Sequence, residues 1–200
     1  MEQTKISTIV AAARNGSDEA YRALLEAYGS GLVGYFYRNT GSRNEADDLV
    51  QETFLHLVRG LRNYKEEERF EVWLYRLARN LLVDYWRKHK MVHAVDVGKD
   101  DSEEWMPELP ANRDIREPSD MLMEKEMGDE LQKALMKLSS DQRETILMRY
   151  FSELSFEEIA EMSGVPLGTA LARVHRGLKT LKRLMGNEVE AGIAEEGQRS

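Results

Sequence analysis

Apolar side chains recur at three- and four-residue spacing through most of this chain, and that period predicts helices. Ile6, Ile9, Val10 and Ala13 make a short stripe that Gly16 stops. Ser17 caps the next helix, with Asp18 and Glu19 favourable in its first turn. That helix sets Ala20, Leu24, Tyr28, Leu32, Tyr35 and Phe36 largely on one side and ends at Gly41. Gly29, Gly31 and Gly34 weaken it by up to ~1 kcal/mol each, which close packing or a kink would explain. Ser42 with Glu45 is a capping-box signature for a helix over 44–61. Its stripe is Ala46, Leu49, Val50, Phe54, Leu57, Val58 and Leu61. A polar connection follows over 60–69. The next helix, over 70–88, has Phe70, Trp73, Leu74, Leu77, Ala78, Leu81 and Tyr85 as its core face.

Residues 94–120 break the pattern. Pro107, Pro110 and Pro118, many acids and little periodicity predict a linker, in which Trp105, Met106 and Leu109 form a candidate hydrophobic anchor. Helical periodicity resumes from 119–120 through Met121, Leu122, Met127, Leu131, Leu135 and Leu138. Ser140 is the expected cap of a helix over 141–151. Ser155 with Glu158 is a second capping box, opening a short helix to Met162. Gly164 makes a turn and Pro166 suits the first turn of the helix beyond it. Ala160, the turn glycine four residues on and Ala170 six beyond that are helix-turn-helix spacing. In the second helix Ala170, Val174, Gly177, Leu178, Leu181 and Leu184 are expected inside. Thr169, Ala172, Arg176, Lys179 and Arg183, flanked by Arg173, are expected outside, and Gly186 is the expected end. An outward basic face of this kind can enter a major groove, the alternative being a solvated basic surface.

Three polar faces carry candidate chemistry. On the 44–61 helix, Asp48, Gln51, Glu52, Leu55 and Arg59 lie opposite the apolar stripe. One leucine among fixed charges suits docking onto another protein's helix. Periodicity alone favours an ordinary solvated surface, since single exposed leucines are common. On the 70–88 helix the reverse face holds Tyr75, Arg76, Arg79, Val83, Trp86 and Arg87. Rings that stack on bases beside guanidinium groups that hold phosphates suit single-stranded nucleic acid. Without further information, a second face packed against another helix is the better reading. His89, His93 and Asp96 are an incomplete metal pattern, and solvated histidines at a helix end fit better. No nucleophile–base pair, phosphate loop or ligand set is present, so no catalysis and no cofactor is expected.

Charge sharpens this picture. The formal net charge of -8 argues superficially against nucleic acid. Residues 1–92 hold 14 Lys+Arg and 13 Asp+Glu, and residues 121–185 hold 10 of each. The excess lies in residues 93–120 (3 against 9) and 186–200 (1 against 4). From Met162 to Asn187 there are five basic residues and no acid, and such a local patch is the footprint to look for. The chain has no cysteine, in keeping with a reducing cytoplasm. Met1 to Val10 is polar and lacks the apolar run of a signal peptide, and no stretch approaches ~18 apolar residues, so no membrane insertion is expected.

The segment Asp47-Asp48-Leu49-Val50-Gln51-Glu52-Thr53-Phe54, with Phe70, Trp73-Leu74-Tyr75-Arg76-Leu77-Ala78-Arg79-Asn80 and Asp84-Tyr85, resembles domain two of bacterial extracytoplasmic-function (ECF) sigma factors. Residues 138–185 resemble domain four of the same family. The resemblance implies an all-α chain of two helical domains: 1–92 as domain two, 93–120 as a flexible acidic linker, 121–186 as domain four and 187–200 as an acidic tail. It implies that Asp48, Gln51 and Glu52, with Leu55 beside them, dock on RNA polymerase core. It places Arg62, Asn63 and Tyr64 where the family captures a flipped base of the minus-ten element. Arg76, Arg79, Asn80 and Arg87 then handle melted DNA, and Thr169, Ala172, Arg173, Arg176 and Lys179 face the minus-thirty-five element. Promoter DNA, core polymerase and an anti-sigma factor are the implied partners, in the cytoplasm. The recognition helix departs from the family's usual Ser-x-Gly-Thr-Val-Lys-Ser-Arg, reading Pro166-Leu167-Gly168-Thr169-Ala170-Leu171-Ala172-Arg173, which implies a different promoter sequence. The competing class is a helical adaptor that sequesters polymerase or an anti-sigma factor without initiating transcription.

Overall fold

The computed structural model describes residues 3–64, 69–89 and 128–196. The expected linker, with His93, Asp96 and Trp105, lies outside them. An N-terminal bundle consists of α1 (Gln3–Arg14), α2 (Asp18–Thr40), α3 (Arg43–Gly60), a 3-10 turn (Leu61–Asn63) and α4 (Phe70–Lys88). A C-terminal bundle consists of α5 (128–136), α6 (Ser140–Tyr150), α7 (Phe156–Ser163) and α8 (Leu167–Glu196). The expected all-α fold in two helical units is what the chain adopts.

Local signals set most boundaries. The Ser17 hydroxyl accepts from the Ala20 N–H, and Gly41 ends α2 at φ 74°. The Ser42 hydroxyl accepts from the Glu45 N–H. Ser155 and Glu158 form the full reciprocal capping box of α7. Two boundaries differ from expectation. The cap of α6 is Ser139, whose hydroxyl accepts from the Gln142 N–H, and Ser140 is already helical. Gly186 does not end α8, which runs on to Glu196. A single glycine costs only about 1 kcal/mol in a helix, and Glu188, Glu190 and Ala191 around it are helix formers.

In the N-terminal bundle, Ile6, Val10 and Ala13 of α1 meet Leu24, Leu32, Tyr35 and Phe36 of α2 and Ala46, Leu49, Val50 and Leu57 of α3 in one core. Thr53 is also fully buried there, its hydroxyl donating to the Leu49 carbonyl at 2.7 Å. The α4 face is rotated from the expected one. Phe70, Leu74, Tyr75, Ala78, Leu82 and Trp86 are buried, while Trp73, Leu77, Leu81 and Tyr85 are only half-buried. Tyr75 and Trp86, expected on the reverse face, are therefore core residues.

The reason for part of this is that the two bundles pack together. A Cβ on Gly34 of α2 would lie 2.6 Å from the Phe151 ring at the end of α6, so only glycine permits that approach. The Arg38 guanidinium sits 4.5 Å from the centre of the same ring. Gln132 donates to the Tyr37 carbonyl at 3.2 Å, and Arg79 of α4 lies 3.2 Å from Glu144 of α6. α4 thus has neighbours from both bundles, and both its faces lose water.

Candidate protein and nucleic-acid interfaces

The first surface is the outer face of α3. Ala46, Leu49, Val50 and Leu57 fix the helix from below, so Asp48, Gln51, Glu52, Leu55 and Arg59 all project into solvent. Leu55 is 55% exposed and Val58, one turn on, is 45% exposed, which adds a second apolar residue that the stripe had assigned to the core. Asp48, Gln51 and Glu52 make no hydrogen bond or ion pair among the described residues. Their neighbour Asp47 is held by Arg43 at 3.2 Å. The face offers two uncommitted carboxylates, an amide and two apolar side chains in about three turns.

The second surface is built on the 3-10 turn and α4. Leu61 is fully buried and pins the turn, which leaves Arg62 and Asn63 exposed. Arg62 lines a hollow of about 470 Å³ with Ala11, Arg14 and Asn15. Tyr64 does not share that exposure. Its ring is 6% exposed and packs on Phe70 and Trp73, with centroids 5.7 and 5.0 Å away. On α4, Asn80 and Arg87 are exposed, with Arg87 paired to Asp84 at 3.1 Å. Arg76 and Arg79 face the C-terminal bundle: Arg76 lies 3.6 Å from Glu161 of α7 and Arg79 lies 3.2 Å from Glu144 of α6. Arg69, just before α4, lies 3.6 Å from Glu158.

Glu144 is the least expected member of this site. Its side chain is 2% exposed, and burial pushes its carboxyl up to about 7, against the opposing pull of Arg79. Arg79 Nε and Glu144 Oε1 make an ionic contact without hydrogen-bond alignment. Burial beside Glu144 also raises the Tyr35 hydroxyl, and burial lowers Arg143 to about 10. The sequence signal for this cluster was a charged pair, Arg143-Glu144, inside a helix that is buried on nearly every side.

The third surface is α7, the turn at Gly164 and α8. Gly164 adopts φ 66°, a conformation open to glycine at no steric cost, and its N–H reaches the Ala160 and Glu161 carbonyls. Ala160, Ala170, Val174 and Leu181 bury the inner side. Lys179 and Arg183 are exposed, while Thr169, Ala172 and Arg176 are half-buried. The Arg176 Nε–H donates to the Ala172 carbonyl at 3.3 Å, one turn back. Arg173 is committed elsewhere, its guanidinium bonded to Asp141 of α6 at 2.5 Å. Leu167 and Leu171 are 40% and 42% exposed at the start of the helix. No described helix is long and apolar enough to cross a membrane.

Residues 24–91 match the Sigma-70 region 2 family and residues 128–181 match Sigma-70 region 4. The chain is 29% identical over 170 residues to the ECF RNA polymerase sigma factor SigW of Bacillus subtilis (strain 168), covering 85% of this chain and 91% of that one. It is 31% identical over 181 residues to the RNA polymerase sigma factor CarQ of Myxococcus xanthus, covering 90% and 97%. Among solved structures the fold resembles CnrH in complex with the cytosolic domain of CnrY, with a TM-score of 0.62 at 21% identity over 90% of this chain and 96% of that one. It also resembles the sigma factor RpoE in complex with the anti-sigma factor NepR from Bartonella quintana, at 0.60 and 24% identity over 83% and 96%.

Proposed function

The chain belongs to the ECF sigma factors, which direct bacterial RNA polymerase to promoters, and from that premise we propose a division of labour among its three surfaces. The α3 face docks on core polymerase through Asp48, Gln51, Glu52 and Leu55. Arg62 and Asn63 on the 3-10 turn meet the minus-ten element. Arg76, Arg79, Asn80 and Arg87 on α4 hold the melted strand. α8 enters the major groove of the minus-thirty-five element, with Arg176 toward base edges and Lys179 and Arg183 toward phosphates. Tyr64 and Arg173 act from beneath: Tyr64 supports the turn that carries Arg62, and Arg173 ties α8 to α6. The protein is an initiation factor that catalyses no reaction and works in the cytoplasm beside polymerase. An anti-sigma factor is its regulatory partner, a reading supported by the two similar folds, both solved as complexes.

The observation that carries the reading is the exposed and uncommitted α3 face lying on the same helix as the family motif. Asp48→Lys with Glu52→Lys should lower core-polymerase binding by about 100-fold, on the scale of close charge pairs at protein interfaces. Promoter-dependent transcription should fall with it, while the melting temperature stays unchanged. Normal co-purification of this variant with core polymerase would refute the assignment. A wild-type chain that binds core yet starts no transcription at any genomic promoter would favour the sequestering adaptor.

A further inference from the structure

We propose that the α4 arginine row is a surface with two mutually exclusive occupants, the melted promoter strand and the glutamates of this chain's own C-terminal bundle, so that the free protein holds itself closed. The inference rests on the reading of Arg76 and Arg79 as DNA contacts. Arg69, Arg76 and Arg79 face Glu158, Glu161 and Glu144 of the C-terminal bundle respectively, and Arg69 also lies 4.0 Å from Glu71 of α4. Three carboxylates set along one basic row present what a phosphate backbone would present. A strand cannot reach Arg79, whose side chain is 17% exposed, until α6 leaves.

The contact is built into residues that DNA binding does not require. Gly34 leaves room for the Phe151 ring, and the Arg38 guanidinium, one turn on along α2, lies over the same ring. The contact is also easily released. The buried Arg79–Glu144 pair lacks hydrogen-bond alignment, so its attraction recovers only part of the desolvation cost. Distance gives an independent argument. Elements named for positions ten and thirty-five lie ~25 base pairs apart, or roughly 85 Å at 3.4 Å each. A bundle of this size has a radius of gyration of about 12 Å, so two bundles in contact cannot sit on both elements. The chain between them, residues 90–127, is long enough to span the gap, with an extended reach of ~130 Å.

The test uses the full chain, which has no native cysteine. Dyes on Arg22→Cys and Glu157→Cys, both at exposed positions, report the separation of the bundles by energy transfer. The probe is a random 20-nucleotide single strand. Adding it to the wild type should lower transfer, because two ligands of one surface exclude each other reciprocally. Gly34→Ala improves the helix yet crowds Phe151, and Phe151→Ala removes the ring. Both should lower transfer without DNA and tighten strand binding about threefold or more, since the competent fraction rises. Transfer that stays high with the strand bound would overturn the proposal. Variants that open without gaining affinity would overturn the competition and place the fault in the arginine assignment. Core-polymerase binding through α3, measured on the same variants, stands or falls separately.

Discussion

The outer face of α3 and the arginine row of α4 belong to one bundle and one family signature, yet they differ in how they are kept. The α3 face is bare. Asp48, Gln51, Glu52 and Leu55 stand in solvent on a helix whose other side is fully packed. The α4 row is covered, with Arg76 and Arg79 facing glutamates of the C-terminal bundle. On the proposed assignment, the difference teaches that one sigma domain can offer its polymerase-docking face while withholding its nucleic-acid face, so that such a chain would meet polymerase before DNA.

Charge reversal separates the two faces most sharply. Glu144→Lys puts a cation among Arg79, Arg143 and Arg173 in a buried site and should destabilise the chain by about 3–5 kcal/mol. Glu52→Lys on the bare face should stay within about 0.5 kcal/mol. Thermal unfolding of the two variants gives the comparison. The same contrast recurs within the 3-10 segment. Tyr64→Ala should cost about 3 kcal/mol of stability, because its ring fills the space between Phe70 and Trp73. Arg62→Ala should leave stability unchanged and weaken binding of single-stranded DNA. Equal losses of stability would mean that the turn is organised differently.

How far the sequence led depends on how many partners each helix has. Periodicity describes a helix that packs on one side. α3 is such a helix, so its outward set was legible from residue spacing alone. Val58 was the one apolar residue there that the stripe misassigned. α4 packs on two sides. The burial of Tyr75 and Trp86 on its reverse face agrees with the reading of that face as packed against a helix, but the partner could not be named from spacing. Gly34 was visible as a weakness in α2, and its cause, Phe151, lies more than a hundred residues away in the chain. Caps were legible because they are local: Ser17, Ser42 and Ser155 cap as their spacing predicts. Arg173 looked like part of the outward face because nothing in its neighbourhood of sequence announces Asp141.

Smaller effects refine the third surface. Arg176→Ala should cost about 1–3 kcal/mol of duplex binding and relax preference at one promoter position. Lys179→Ala should weaken all sequences alike and reduce the salt slope by about one charge. Selection from a randomised duplex pool at two salt concentrations distinguishes them, and identical losses with an unchanged selected sequence would make Arg176 a phosphate contact only.

The smallest effect expected is that of pH on closure. Glu144 is surrounded by Arg79 from α4, Tyr35 from α2, Asp141 and Arg143 from its own helix and Arg173 from α8. Its carboxyl titrates near 7 when closed, against 4.5 for the ordinary group, because burial disfavours the charge. The closed form therefore binds a proton that an opened, solvated carboxyl releases. Closure is favoured below about 4.5 and loses that advantage as pH rises through 7. Energy transfer between the bundles should rise from pH 8 to pH 6, and Glu144→Gln should flatten the profile. A wild-type profile already flat would remove Glu144 from the balance.

The closed form requires Arg79 and Glu144 to touch in the free protein. A double-mutant cycle on the full chain at pH 8, with Arg79→Met, Glu144→Gln and the pair, measures that contact through unfolding free energies. The predicted result is a coupling of about 0.5–3 kcal/mol, because the residues share one buried ionic contact across the two bundles. Effects that add to within about 0.3 kcal/mol, with each substitution acting on its own bundle alone, would contradict the closed form.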